Sequence, residues 1–354
     1  MSGQGEKFYG TKYNKENVPI FVGIPSFLKL PICEDIDEIK KVNPDIAIIG
    51  EPLDTATTIR PGTRYGPRAV RAASTVPSPP YEHFNIETGI DPFDTFNVVD
   101  TGDVHIICGD TLASQKKCEE RVYEISKLGI CPFSIGGDHS LTYPNVKGWS
   151  EARGYKKIGI IHFDCHADTA DEGLCGFKYD HGAHIKRIYD LGIFKGENYT
   201  LIGPRGFWPD PRIYMKMRDA GMKWFTSFDV WEQGTKDIAM EALERAQKGT
   251  DAVWLTFDVD CLDPSVAPGT GEPEPGGLLA REVIHMIRLI SKNLEIEKFG
   301  FDVLEVAPQY DTSDSNSYNG GITAGFANRL ILEVMGGLAL KKNGLTEGNP
   351  IRPL

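Results

Sequence analysis

No stretch of the 354-residue chain approaches the roughly 18 consecutive apolar residues that a membrane-spanning helix requires. The polar start, Met1-Ser2-Gly3-Gln4, also lacks the apolar segment of a secretion signal, so a cytoplasmic protein without membrane partners is expected. Basic residues are scarce: 38 Lys and Arg stand against 50 Asp and Glu, a formal charge of −12. Nucleic-acid binding needs a basic face to neutralise phosphates, and this balance argues against it. The seven cysteines are scattered and form no C-x-x-C pair, which argues against a disulfide framework and a zinc ribbon. Most read as reduced, buried, small apolar residues. Internal repeats and low-complexity linkers are also missing.

What is present is ordinary globular material, with 40% hydrophobic and 25% charged residues. Short β-branched or aromatic runs recur at 45–49, 96–99, 130–135, 158–163, 199–202, 222–226, 252–257 and 299–304. Each predicts a buried strand. Helical patterns lie between several of them, over 111–127, 236–248 and 278–291, with Gly249 placed to end the second. Such alternation predicts an α/β fold, a mostly parallel sheet covered on both faces. Residues 1–43 lack the alternation and contain Pro19, Pro25 and Pro31. They are expected to form an N-terminal extension wrapping the domain or a neighbouring subunit, ahead of a single catalytic domain over 44–354.

Polar residues concentrate in a telling way. Five of the eight histidines (139, 162, 166, 181 and 184) fall within 46 residues, where chance would place about one. Three blocks follow or finish predicted strands: Gly136-Gly137-Asp138-His139-Ser140, His162-Phe163-Asp164-Cys165-His166-Ala167-Asp168, and Phe257-Asp258-Val259-Asp260-Cys261-Leu262-Asp263. The carboxyl ends of parallel strands are where open α/β sheets bind ligands. In extended backbone, side chains two apart share a side, so Asp164, His166 and Asp168 should converge, as should Asp258 and Asp260. Four gathered carboxylates repel one another unless cations neutralise them. With His139 the blocks offer six ligands, enough for two divalent ions. Hard oxygen plus imidazole without thiolate favours Mn²⁺, with Ni²⁺ the main alternative. One such Asp alone would read as a helix cap, and one His as a hydrogen-bonded core or surface residue; three blocks at matched strand ends do not. Asp138, His162 and Asp263 are candidates for orienting the ligands.

These motifs resemble those of the ureohydrolase family of arginases, agmatinases and formiminoglutamases. The resemblance is carried by GGDHS (136–140), DCHAD (164–168), HG (181–182), FDVDCLDPSVAPGTGEPEPGG (257–277) and LEV (304–306), and 50–54 with 60–68 resemble the N-terminal signature of the agmatinase branch. It implies a three-layer α/β/α fold with an eight-stranded sheet. It also implies one metal held by His139, Asp164, Asp168 and Asp258, and a second by Asp164, His166, Asp258 and Asp260. Hydroxide between the ions would attack the guanidino carbon, giving urea and an amine, with Glu305 holding the guanidinium and His181 passing a proton to the leaving amine. The catalytic set is therefore His181, Glu305 and Asp168. By analogy the assembly is a homo-oligomer, a trimer or hexamer, with a hetero-oligomer left open.

The substrate is less defined. The loop 169–180 contains no Asn or Ser, residues with which arginases read an amino acid's α-groups, so L-arginine is disfavoured. His184, Cys165 and Glu272 depart from what an agmatinase-like sequence commonly carries, and Phe207 with Trp208 offers an aromatic wall. His184, Trp208, Glu272 and Glu305 are the candidate substrate contacts. The compounds considered are agmatine, a guanidinobutyrate-type acid, guanidine, and a substituted (bi)guanide such as metformin; Lys178 is placed to offset the acids if the tail is a carboxylate. The competing expectations are a non-catalytic assembly or regulatory subunit, against which the intact ligand set argues, and a binuclear phosphoesterase, against which the lack of Lys and Arg in the three blocks argues.

Overall fold

A computed structural model describes residues 23–75, 83–174, 176–207, 210–311 and 320–345. All eight expected strands form: β1 (Ile46–Glu51), β2 (Val98–Asp103), β3 (Cys131–Gly136), β4 (Ile158–Phe163), β5 (Tyr199–Ile202), β6 (Lys223–Phe225), β7 (Ala252–Asp258) and β8 (Phe299–Leu304). They make one sheet in the order β2-β1-β3-β8-β7-β4-β5-β6, with every pair parallel.

Strand alternation divides the apolar residues into two cores. On β1, Ile46 and Ile48 face one core and Ala47 and Ile49 the other; on β7, Val253, Leu255 and Phe257 oppose Ala252 and Trp254. The first core is completed by α2 (Gly66–Ala73), α8 (Thr235–Gln247), α9 (Ala280–Ser291) and α10 (Gly321–Lys342). The second is completed by α1 (Ile36–Val42), α3 (Thr111–Lys127), α4 (Thr142–Arg153), α5 (His184–Asp190) and α6 (Pro211–Asp219). The sheet is thus covered on both faces, which is why its strands read as continuous apolar runs. The remaining helix, α7 (Ser227–Gln233), follows β6. Among the described residues no helix is long and apolar enough to cross a membrane.

Of the N-terminal 43 residues, the first 22 lie outside those described. Phe27 and Leu28 are buried, and their amides donate to Asp100 Oδ2 and Ser74 Oγ at 2.8 Å each. Asp100 in turn pairs with buried Arg71 of α2. This part of the expected extension therefore closes over the β1–β2 side of the sheet.

For function, the decisive fact is that β3, β8, β7 and β4 are neighbours. His139, Glu305, Asp258 and Asp164 each stand at or just beyond the carboxyl end of one of them. Four segments far apart in sequence are thereby brought to one edge.

Candidate active site

Local structure aims each side chain. After β3, a Cβ on Gly137 would lie 1.7 Å from the Leu53 carbonyl oxygen, so only glycine lets the chain turn there. Asp138 then caps the turn at His139, accepting from the Ser140 amide, and also accepts from Ala56 N at 3.1 Å. It is a scaffold residue. The 164–168 segment is not strand, as β4 ends at Phe163. Its three ligand candidates converge because Asp168 adopts a left-handed φ of 47°, which redirects its carboxylate back toward His139. Asp258 and Asp260 likewise converge through a turn rather than strand alternation: Asp258 Oδ1 accepts the Asp260 amide at 2.7 Å, capping Val259–Cys261. Both convergences were expected from extended geometry, but local carboxylate-to-amide bonds and one strained residue produce them.

The result is a buried cluster of carboxylates and imidazoles. His139 Nδ1 stands 3.0 Å from both Asp164 Oδ2 and Asp258 Oδ2, and 3.7 Å from Asp168 Oδ2. His166 Nδ1 stands 3.1 Å from Asp260 Oδ2 and 3.5 Å from Asp164 Oδ1. Asp164 thus faces both groups, and buried His162 Nε2 holds its Oδ2 at 2.8 Å, itself anchored on Tyr199 Oη. Among the described residues no lysine or arginine side chain pairs with any of the four aspartates. Burial, reinforced by the charge of neighbouring aspartates, pushes the Asp168 and Asp258 carboxyls well above the usual range. A donor set of this kind fits divalent cations: hard oxygens and imidazoles, acidic, buried and lacking a cationic side chain.

Beside the cluster, Glu305 has a left-handed φ of 64°. Its Oε1 accepts the His139 amide at 2.9 Å and lies 3.2 Å from His181 Nδ1. Glu272 reaches across from the 257–277 segment, its Oε1 3.5 Å from His181 Nε2 and its Oε2 3.7 Å from His166 Nε2. Two arginines hold that segment in place: Arg60 donates to the Gly271 and Thr270 carbonyls, and Arg205 to those of Glu274 and Asp260. Although burial opposes the charge on His181, the hydrogen bond and charge of Glu305, then Glu272 and Asp168, raise its pKa to about 10. Thr58 exerts the opposite preference, because its amide donates to Nε2 at 3.2 Å and needs a lone pair there.

Above the cluster opens a cavity of about 400 Å³ lined by Asp168, Asp258, Asp260, Glu272, Glu305 and His181, and farther out by Glu172, Asp180, Asp210, Ile213 and Tyr214. No lysine or arginine lines it among the described residues. His184, expected to contact substrate, does not reach this cavity. Its buried ring stacks on His139 with centroids 4.1 Å apart, and its Nδ1 bonds the His181 carbonyl oxygen. Placed at the start of α5, it is directed under the cluster. Lys178 does not line the cavity, Phe207 is fully exposed, and Trp208 lies outside the described residues. Asp263 is spent on a turn, accepting from Ser265, Gly276 and Gly277.

The arginase-family profile matches residues 44–337. The chain belongs to the arginase family. A mitochondrial agmatinase of Gallus gallus is 36% identical over 84% of this chain and 83% of that protein. A guanidinobutyrase of Pseudomonas aeruginosa is 34% identical over 86% and 91%. Among solved structures, proclavaminate amidino hydrolase from Streptomyces clavuligerus superposes with a TM-score of 0.80 at 31% identity, covering 92% of this chain and all of that one. This arginase-family protein is therefore a metal-dependent amidinohydrolase, a guanidino hydrolase of agmatinase and guanidinobutyrase type.

The sequence motifs missed several residues at the site. Thr58 falls between the two N-terminal segments that carried the resemblance, and Asp180 immediately precedes His181. Asp180 is buried with both carboxylate oxygens lacking a hydrogen-bond partner. Cys165, one of the departures from the agmatinase pattern, places Sγ within 4.8 Å of ligand atoms of His166 and Asp260.

Proposed function

We propose that this amidinohydrolase hydrolyses a small cationic guanidino compound whose tail carries no carboxylate, agmatine or guanidine being the best-fitting candidates, to urea and an amine or ammonia. The observation that carries the proposal is the cavity lining: acids continue outward from the cluster to Glu172 and Asp180, with Asp210, itself paired to Arg212, at the rim, and no basic side chain lines the cavity among the described residues. A carboxylate tail would meet like charge there, whereas a cation is attracted.

His139, Asp164, Asp168 and Asp258 would hold one divalent ion, and Asp164, His166, Asp258 and Asp260 the other. When bound, such a pair supplies Lewis-acid chemistry and makes water a nucleophile near neutral pH. Mn²⁺ suits the oxygen-rich donors, with Ni²⁺ the main alternative. Glu305 keeps Oε2 free of the bonds that occupy Oε1 and presents it to a planar guanidinium. His181, held between Glu305 and Glu272, carries a proton at the edge of the cavity and delivers it to the departing amine. Assembly as a homotrimer or hexamer belongs to the same proposal and is tested by native mass.

Urea release should be measured on Mn²⁺-loaded and Ni²⁺-loaded enzyme with agmatine, guanidine, metformin, 4-guanidinobutyrate and L-arginine. Agmatine or guanidine is expected to give the highest kcat/KM. A preference for 4-guanidinobutyrate would overturn the charge argument, and inactivity on all of them would overturn the hydrolytic reading.

A further inference from the structure

Beneath the cluster lies a second polar layer that faces neither solvent nor cavity. His139 directs Nδ1 toward Asp164 and Asp258, and its other nitrogen, Nε2, stands 2.9 Å from Thr256 Oγ1 on β7. Thr256 Oγ1 is 3.0 Å from Thr142 Oγ1 at the start of α4. Behind them is Asp302 of β8, whose Oδ2 accepts from Trp254 Nε1 at 3.1 Å and from Asn145 Nδ2 at 3.5 Å. Asn145 also donates to Glu51 Oε2 at 2.9 Å. Thr142, Asn145, Thr256, Asp302 and Glu51 are all completely buried. Asp302 is the β8 register partner of Thr256, and its Oδ1 has no hydrogen-bond partner of standard geometry; burial raises its carboxyl to about 6, against the opposing pull of the Thr256 hydroxyl, His139 and the Thr142 hydroxyl.

Proton counting gives this layer a purpose. A threonine hydroxyl has one proton and can donate it once. The neighbouring Asp302 carboxylate and the Thr142 hydroxyl offer Thr256 acceptors other than Nε2, and a proton directed to either leaves a lone pair toward Nε2. That lone pair is satisfied only if Nε2 carries the imidazole proton. The ring is then the tautomer with its free lone pair on Nδ1, the nitrogen aimed at the cluster. The surrounding layer matters because a buried Nε2–H without an acceptor would be costly.

We infer that Thr256, backed by Asp302, is a positioning pair that fixes the tautomer and ring orientation of His139, so that Nδ1 is presented ready to ligate a divalent cation. Neither residue touches the cavity, so the pair acts through His139 alone. The inference rests on the reading of His139 as a metal ligand.

The test uses the full-length enzyme, stripped of metal and titrated with Mn²⁺ by calorimetry and with Co²⁺ by visible absorption. Thr256→Val keeps the shape and removes the acceptor; Asp302→Asn keeps the shape and supplies a donor that turns the Thr256 hydroxyl back toward His139. Each is expected to weaken the binding of one of the two ions by roughly 10- to 100-fold and to alter the Co²⁺ bands. Thr256→Ser, which retains the hydroxyl, should restore both. Wild-type affinity and spectrum in a folded Thr256→Val or Asp302→Asn protein would overturn the inference, as would failure of Thr256→Ser to rescue. If Thr256→Val does not fold, the Asp302→Asn titration decides. Failure of the wild type to bind either metal would instead overturn the metal-site reading on which the inference depends.

Discussion

The floor and the outer wall of the cavity are both acidic, yet they are built differently. On the floor, His139, Asp164, Asp258 and Glu305 stand at the ends of adjacent parallel strands, and each is buried. Every floor carboxylate is oriented by an amide or imidazole: Asp164 by His162, Asp258 by the Asp260 amide, Glu305 by the His139 amide. On the wall, Glu172 is exposed on the loop before His181, and Asp210 is half-buried and spends its carboxylate on Arg212. The exposed Glu172 charge is screened and free to move, and that of Asp210 is offset by its arginine. The contrast separates pre-organisation from attraction: the floor is arranged for chemistry, while the wall biases which ligand approaches.

The largest effect is expected on the floor. Asp258→Asn should abolish urea release and reduce bound divalent metal, measured by elemental analysis, and chelation followed by metal restoration should switch wild-type activity off and on. Full activity without metal would remove the floor's assigned role. Next, His181→Ala should lower kcat by roughly 10²- to 10⁴-fold while leaving the metal content intact, because it removes proton transfer rather than a ligand. Equal loss of metal would move His181 from the reaction to the scaffold.

A third test addresses the rigidity of the support under the floor. Burial, with the nearby Asp302 charge, raises the Glu51 carboxyl from 4.5 to about 8, against the bonds from Asn145 and Ser134. Below its ordinary pKa the group is protonated in folded and unfolded chains alike. Between that value and about 8 the unfolded chain releases the proton while the folded one retains it, so stability falls as pH rises through this window. Glu51→Gln should flatten that fall, gaining stability on the order of a few kcal/mol at about pH 9 relative to about pH 5 in urea denaturation. An unchanged slope would show that the buried carboxyl is compensated elsewhere. The smallest effect is expected on the wall: Glu172→Gln with Asp210→Asn should raise KM for agmatine by only ~2- to 5-fold, more at low salt, with kcat unchanged.

Much of this architecture is legible in the sequence. The eight apolar runs announced eight strands of a sheet covered on both faces. Helix α10 was not among the patterns read: it is apolar nearly all round, with Val334, Met335, Leu338 and Ala339 all buried, so it has no polar face to give a 3.6-residue signal. The floor was legible too, because metal-ligating residue types recur at short spacings after strands. His184 was misassigned since its neighbourhood to His181 said nothing about which way α5 would point it. The support beneath His139 was invisible, as Thr256, Thr142 and Asp302 are ordinary residues on three separate elements.

Residue identity alone therefore carried the chemistry: acids and imidazoles that need cations must be supplied at a strand edge, and their short-range spacing records this. The convergence of the strand ends, the left-handed turns at Asp168 and Glu305, the Glu272 contact with both His181 and His166, and the hydroxyl facing His139 Nε2 came only with the fold. These depend on strand order and on contacts between residues about ninety or more positions apart, and hydrogen-bond direction is a property of the assembled neighbours rather than of either residue alone.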